Sequence, residues 1–272
     1  MKIAIYIGKT GSDKDAQVME LLDRLSAYGC ELYGVAAKKD LMPDTDMLLS
    51  IGGDGTFLYA AAVVSGSDVP IVGVNLGRLG FLSENRPEDV AEAILSGDYT
   101  VESRTMLQAS SKSDVLLPEE LTYSLNEVTV HRNGPSMLGV EVKVDGVVLP
   151  TYWADGLVIS TSSGSTAYSL SVGGPIALPE AKVLIISPIA PHNLNVRPLV
   201  VPDTSNIELR MSSRDDQFVF SSDNRSLLLD SGSELLVSVA QFSLKRVRLN
   251  RSNFINALTQ KLFWGEDVRN IK

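Results

Sequence analysis

The chain has 272 residues, 44% hydrophobic and 21% charged, with a net charge of −9, which at about 150 residues per domain makes one large or two modest globular domains able to bury substantial cores. The acidic balance argues against nucleic acid or an anionic membrane held by the overall field, while leaving room for a nucleotide in a locally positive pocket. Cys30 is the only cysteine, which excludes an intrachain disulfide and fits a reducing compartment, and with only His131 and His192 a multi-histidine metal site is excluded.

Lys2–Gly8 reads as a first strand, its apolar run too short for the core of a signal peptide. Asp15–Tyr28 places Val18, Leu21, Leu22 and Leu25 on one helical face. Strands over Glu31–Ala36 and Asp46–Ile51 follow, then a helix over Thr56–Val64, a strand over Pro70–Asn75, and a helix over Pro87–Leu95 opened by proline and acids. Alternating strands and helices predict a mainly parallel sheet covered on both faces, with ligands beyond the carboxyl ends of its strands.

From about Tyr99 strand-like runs succeed one another: Met106–Ser110, Leu125–His131, Gly139–Val144, Val147–Tyr152 and Leu157–Thr161. Asp145-Gly146 marks a hairpin turn, and Ser110–Glu120 reads as an exposed loop. Later runs are Val183–Ile186, Ile207–Met211, Phe218–Ser221, Glu234–Ala240 and Ser243–Leu249. Ser252–Phe263 returns to helical spacing with Ser252 as N-cap. The expected fold is an α/β domain with a mainly parallel sheet over 1–100, completed by a C-terminal helix at 252–272, plus a β-rich, sandwich-like domain over 101–251. No stretch approaches the roughly 20 apolar residues of a membrane span, and a cytoplasmic location is expected.

Residues 50–61, SIGGDGTFLYAA, pose the chemical question. Glycine is costly in ordered backbone, so Gly52, Gly53 and Gly55 suit a sharp turn or a close ligand approach. Asp-Gly is also a hairpin signal, but the following FLYAAAVV looks helical. A strand–glycine turn–helix unit would present N–H groups to an anion such as phosphate. Gly8-Lys9-Thr10 resembles the end of a Walker loop, yet Ile3 stands where that motif needs glycine. Farther on, DGLVISTSSGSTAYSLSVGGP at 155–175 gathers hydroxyls around Tyr168, suited to sugar hydroxyls and base edges. Asn126-Glu127 sets an amide beside an acid, a pair able to grip ribose.

Together GGDGT at 52–56, GVNLGRLGFL at 73–82, NE at 126–127, DGLVIST…GSTAYSLSVGGP at 155–175 and PHNLNVRPLV at 191–200 resemble the NAD kinase family over about residues 46–202. The resemblance implies phosphorylation of the 2′-hydroxyl of the adenosine ribose of NAD to give NADP. ATP or polyphosphate would be the donor, with a divalent metal, usually magnesium, in a homodimer or homotetramer. It implies an N-terminal α/β domain and a C-terminal β-domain. Asp54 corresponds to the proton acceptor, with Gly53, Gly55 and Thr56 lining its turn. Phe81 corresponds to a residue on the adenine side, Asn126 and Glu127 to the ribose grip, and Asp155 to an acid near the nicotinamide. Thr166, Ala167, Tyr168 and Ser171 correspond to the segment around adenine and ribose, and Asn224 to a later dinucleotide contact. Two departures stand in the sequence. Ser162-Ser163 replaces the common Pro-Thr, and Trp153 stands where some members place a basic residue. The resemblance requires the glycine turn and the hydroxyl-rich loop to converge on one adenosine sugar. A lipid kinase would need an apolar entry groove, and a phosphofructokinase a basic cluster for a sugar phosphate. A non-catalytic NAD(P)-binding regulator would keep the pocket without turnover.

Overall fold

The structure is a computed structural model that describes residues 1–8, 15–77, 80–112, 116–250 and 253–263. Its contacts form two units, Met1–Ser103 with Leu244–Lys272, and Arg104–Ser243. Lys9, Thr10, Arg78, Leu79 and Ser252, which belong to motifs or caps read from the sequence, and residues 264–272 of the expected C-terminal helix lie outside the described residues.

The first unit runs β1 (Lys2–Ile7), α1 (Ala16–Ala27), β2 (Glu31–Gly34), β3 (Met47–Ile51), α2 (Asp54–Val63), β4 (Ile71–Val74) and α3 (Pro87–Ser96). The strands lie in the order β2-β1-β3-β4, every pair parallel. All of β3, MLLSI, is buried, as a parallel strand covered on both faces requires. Asp15 caps α1 by accepting from the Gln17 N–H at 3.0 Å. The face of Val18, Leu21 and Leu25 joins Ile3, Leu49, Ile51, Val72, Val90 and Ile94 in one apolar core. Proline opens α3, and Gly97 closes it at φ 73°. Because β2 and β3 flank β1 on opposite sides, the strand order reverses at the carboxyl ends of β1 and β3, where such sheets bind ligands. The glycine turn stands there.

The second unit is built on strands. In chain order these are β5 (Tyr99–Ser111, entering from the first unit), β6 (Tyr123–Ser124), β7 (Glu127–Arg132), β8 (Leu138–Val144), β9 (Val147–Val148), β10 (Tyr152–Ala154) and β11 (Gly156–Thr161). After them come β12 (Val183–Ile189), β13 (Leu199–Pro202), β14 (Ile207–Ser212), β15 (Gln217–Ser222), β16 (Arg225–Asp230) and β17 (Glu234–Leu249). The short helices α4 (Glu119–Thr122) and α5 (Tyr168–Ser171) interrupt them, and α6 (Phe254–Leu262) follows in the first unit. One antiparallel sheet runs β13-β12-β11-β7-β15-β16, and a second includes β10-β8-β14-β17. Alternate residues of both sheets interdigitate: Val128, Val130, Leu157, Ile159, Phe218 and Phe220 meet Leu138, Val140, Val142, Leu209, Leu235 and Val237.

Several elements differ from expectation. The run Val147–Tyr152 splits into β9 and β10 around Pro150, which has no N–H for a ladder. Glu234–Ala240 and Ser243–Leu249 form one strand, β17, and of the expected loop Ser110–Glu120, Ser110 and Ser111 belong to β5 and Glu119 and Glu120 to α4. Strands β6, β13 and β16 and the short helices α4 and α5 were not predicted. Asn253, accepting from the Ile255 N–H at 2.8 Å, caps α6. The Asp145-Gly146 hairpin has both residues at positive φ, 50° and 81°. Among the described residues no helix is long and apolar enough to cross a membrane.

Candidate active site

In the first unit the glycine turn and helix start are one object. Gly53 is the N-cap of α2, so Asp54 is its first helical residue, two positions earlier than periodicity suggests. The three glycines divide their labour. Gly52 sits at φ 150°, and a Cβ there or at Gly8 would strike the Thr56 side chain. These two glycines therefore make room for Thr56, which packs between strand ends instead of facing outward. Gly53 and Gly55 are exposed and have open space where a Cβ would stand, so only these two leave the backbone open to a ligand.

Asp54 reaches across to the loop after β4. Its Oδ2 accepts from the Phe81 N–H at 2.8 Å, and its Oδ1 from Leu82 and Ser83 at 3.1 and 2.8 Å. A carboxylate oxygen takes two such bonds, so among the described residues Oδ2 keeps one acceptor position. Gly80 makes the approach feasible, since a Cβ there would overlap the Asp54 carboxylate. Gly73 lets the loop lie on β4, where a Cβ would stand 2.7 Å from the Leu82 carbonyl oxygen and from Ser83 Cα. Asn75 and Asn85, both buried, fasten the loop to the strand by bonds to the Ser83 and Gly73 carbonyls at 3.1 and 2.9 Å. Phe81 turns its ring to Phe254 of α6, with centroids 5.9 Å apart.

In the second unit Asn126 and Glu127 enter β7, both buried, at 7% and 8% exposure. Asn126 Oδ1 and Glu127 Oε2 have no hydrogen-bond partner among the described residues. A buried polar oxygen without a partner is costly, so the pair forms a ready grip for a hydroxyl-bearing ligand. Asp223, in the β15–β16 turn, holds their backbone: its carboxylate accepts from the Leu125, Asn126 and Glu127 N–H groups at 2.9, 2.8 and 3.2 Å. Burial and the Asp223 charge push the Glu127 carboxyl up to about 8, against the pull of the Tyr168 N–H. Burial likewise pushes Asp223 up, against the three amides and Arg225.

The hydroxyl-rich loop sorts into two faces. Thr161, Ser162, Ser165 and Ser169 are buried and spend their hydroxyls within the protein, Thr161 on the Leu125 carbonyl at 2.7 Å and Ser165 on the Ser162 carbonyl at 2.7 Å. They shape the loop rather than face a sugar, which narrows the sequence-based expectation. Thr166, Ala167, Tyr168 and Ser171 form its more exposed side. Gly164 lies against Asn126, and a Cβ there would strike the Asn126 carbonyl. The loop and the Asn126-Glu127 pair are thus brought together.

Asp155 is not part of that group. The β7–β11 ladder pairs Glu127 with Ser160, which puts Asp155 five residues, about 17 Å, along the strand. Its Oδ1 pairs with Arg132 Nε at 2.6 Å. Asn224 is exposed beside Asp223. Gly80 and Asp223 were missed from sequence. Asp223-Asn224 between two strands is a hairpin signal, but β16 was not recognised as the second strand. Among the described residues, no three His, Cys, Asp or Glu side chains gather where a metal ion could be held.

Residues 31–98 match the family model for the ATP-NAD kinase N-terminal domain, and residues 125–249 the model for the ATP-NAD kinase C-terminal domain. The NAD kinase of Flavobacterium psychrophilum is 43% identical, over 86% of this chain and 81% of its own. That of Bacteroides fragilis is 38% identical over 99% of this chain and all of its own. The crystal structure of yeast NADH kinase complexed with NADH superposes with a TM-score of 0.89 at 23% identity, covering 100% of this chain and 90% of the other, a likeness of fold. An NAD kinase from Archaeoglobus fulgidus in complex with ATP superposes at 0.79 with 25% identity, covering 97% and 99%.

Proposed function

As the chain belongs to the NAD kinase family, we propose that it phosphorylates the 2′-hydroxyl of the adenosine ribose of NAD, with ATP or polyphosphate as donor, to give NADP. The observation that supports this best is the pair of buried oxygens, Asn126 Oδ1 and Glu127 Oε2, that have no hydrogen-bond partner among the described residues. A ribose diol presents two hydroxyls side by side, one able to donate to the Asn126 amide oxygen and the other to accept from the Glu127 carboxyl, whose proton burial retains. Tyr168 and the outer face of its loop take the adenine, and Asp155 meets the far end of the dinucleotide.

Asp54 supplies the chemical group. Its Oδ2 lone pair accepts the 2′-hydroxyl proton and orients the oxygen for attack on the terminal phosphorus of the donor. The bond to the bridging oxygen breaks as the new bond forms, and the leaving group departs as the shortened phosphate chain. Because the transition state of such transfers is loose, the proton moves late and orientation matters most. Three backbone donors keep the carboxylate fixed throughout. A divalent ion such as magnesium neutralises phosphate charge when bound. The described residues gather no ligand set of their own for it, so this reading assigns it to the donor phosphates.

The same reading makes the protein a cytoplasmic homodimer or homotetramer that binds neither nucleic acid nor membrane. Val147, Val148 and Trp153, exposed at 67%, 56% and 45% on β9 and β10, give the sheet an apolar edge suited to a second copy. The test crosses ATP and polyphosphate with NAD and NADH in the presence of magnesium and measures NADP or NADPH. Metal-dependent product is expected. Dinucleotide binding without turnover for any donor would make the protein a regulator instead.

A further inference from the structure

The loop that holds Asp54 is itself held from its other side. Lys261 of α6 donates to the Gly80 carbonyl, and its ammonium stands 4.8 Å from the centre of the Phe81 ring. Arg246 of β17, buried at 3% exposure, donates to the Leu82 carbonyl at 3.3 Å and to Glu84 Oε1 at 2.5 Å. Two peptide groups are therefore charged at both ends. The Gly80–Phe81 peptide has Lys261 on its C=O and the Asp54 carboxylate on its N–H. The Leu82–Ser83 peptide has Arg246 on its C=O and the same carboxylate on its N–H.

A cation at a carbonyl and an anion at the amide polarise a peptide in the same sense, so each bond strengthens the other. From this geometry we infer that Lys261 is a positioning residue for phosphoryl transfer, its charge acting on the Asp54 carboxylate through the Gly80–Phe81 peptide. Lys261 is the more telling of the two cations. Arg246 is already neutralised by Glu84 and by Glu102, whose Oε2 lies 3.6 Å from Nη1. Lys261 instead has the Gly80 carbonyl and the Phe81 face as its close partners. Burial pulls its ammonium below the usual lysine range, Glu84 and Asp54 pull it back up, and Arg246 adds to the lowering. Phe254, one side of the Phe81 ring contact, seats α6 so that Lys261 reaches the loop.

The inference rests on the reading of Asp54 as the group that meets the reacting hydroxyl, and two measurements separate them. Hydrogen–deuterium exchange reads the clamp without turnover. In Lys261→Met the Phe81–Ser83 amides are expected to exchange about tenfold faster while β1 and β3 keep their protection. In steady-state assays the same variant is expected to lose about tenfold in kcat with the NAD KM within about twofold, the signature of an interaction needed in the transition state. Lys261→Arg restores most of both properties. Lys261→Gln, which keeps a donor but not the charge, behaves like methionine and carries the test if the methionine variant does not fold. Unchanged exchange at Phe81–Ser83, loosening spread over β1 and β3, or wild-type kcat in Lys261→Gln would each overturn the inference. Faster exchange without loss of kcat would show a clamp that does not serve turnover and would also overturn the inference, while the role of the carboxylate itself is read separately from Asp54→Asn.

Discussion

At Asp54 the physical problem is how a carboxylate on a helix end is kept from rotating while one lone pair stays available. Three consecutive amides solve it, two on Oδ1 and one on Oδ2. Asp54→Asn keeps the side-chain shape but sets an NH2 against those donors and removes the proposed proton acceptor. It is expected to bind dinucleotide while turnover falls by roughly a thousandfold, a general-base loss combined with misorientation; NAD titration alongside kcat checks this. Glu127 gives a pH prediction. Its carboxyl moves from 4.5 to about 8 on folding, so the folded chain keeps a proton that the unfolded chain releases. The stability this contributes is whole below about pH 4.5 and is lost as pH rises toward 8, by an amount on the order of a few kcal/mol. Urea unfolding at pH 5 and pH 8 should show that decline in the wild type and a smaller one in Glu127→Gln. As candidates, Asp54, Asn126 and Glu127 could be picked from sequence because each stands in a local motif. Gly80 and Lys261 could not, since their meaning depends on partners 26 and 207 positions away from Asp54.

Among the elements, periodicity found the four longer helices, α1, α2, α3 and α6, and the strands with apolar alternation, and it missed the one-turn helices α4 and α5 and failed where local chemistry overrode the pattern. Helix α2 begins at Asp54 because Gly53 can serve as the cap. Strand β16, RSLLLD, runs three leucines together, so its alternation is blurred, and the turn before it went unread with it. That omission hid Asp223, whose three bonds set the Asn126-Glu127 backbone. The hydroxyl-rich loop illustrates a second limit. Composition shows eight small or hydroxyl residues in a row but not which of them point inward. The loop lies close against β7 at Gly164. Gly164→Ala places a methyl on the Asn126 carbonyl and should cost roughly 1–3 kcal/mol of stability, as overpacking does. It should also raise the NAD KM by displacing the Asn126-Glu127 pair, which thermal melts and NAD titration would register together.

Across the whole molecule, the order of pieces in the chain differs from their grouping in space. The first unit takes Met1–Ser103 from one end of the sequence and Leu244 onward from the other, with all of Arg104–Ser243 lying between. Arg246 pairs with Ile71 in its parallel sheet, and Val247 and Leu249 enter its core. A ribosome adding residues from the N-terminus therefore makes Asp54 long before Arg246 and Lys261, the groups that steady its loop. Nascent chains stalled before Leu244 has emerged should remain protease-sensitive over residues 1–103, while chains released after Leu262 should resist cleavage, since domains fold as units during synthesis. The Arg104–Ser243 segment can mature while it waits. The loop that fixes Asp54 is thus steadied only once Arg246 and Lys261 have been made, so a polypeptide cut short before them would hold the glycine turn without its support.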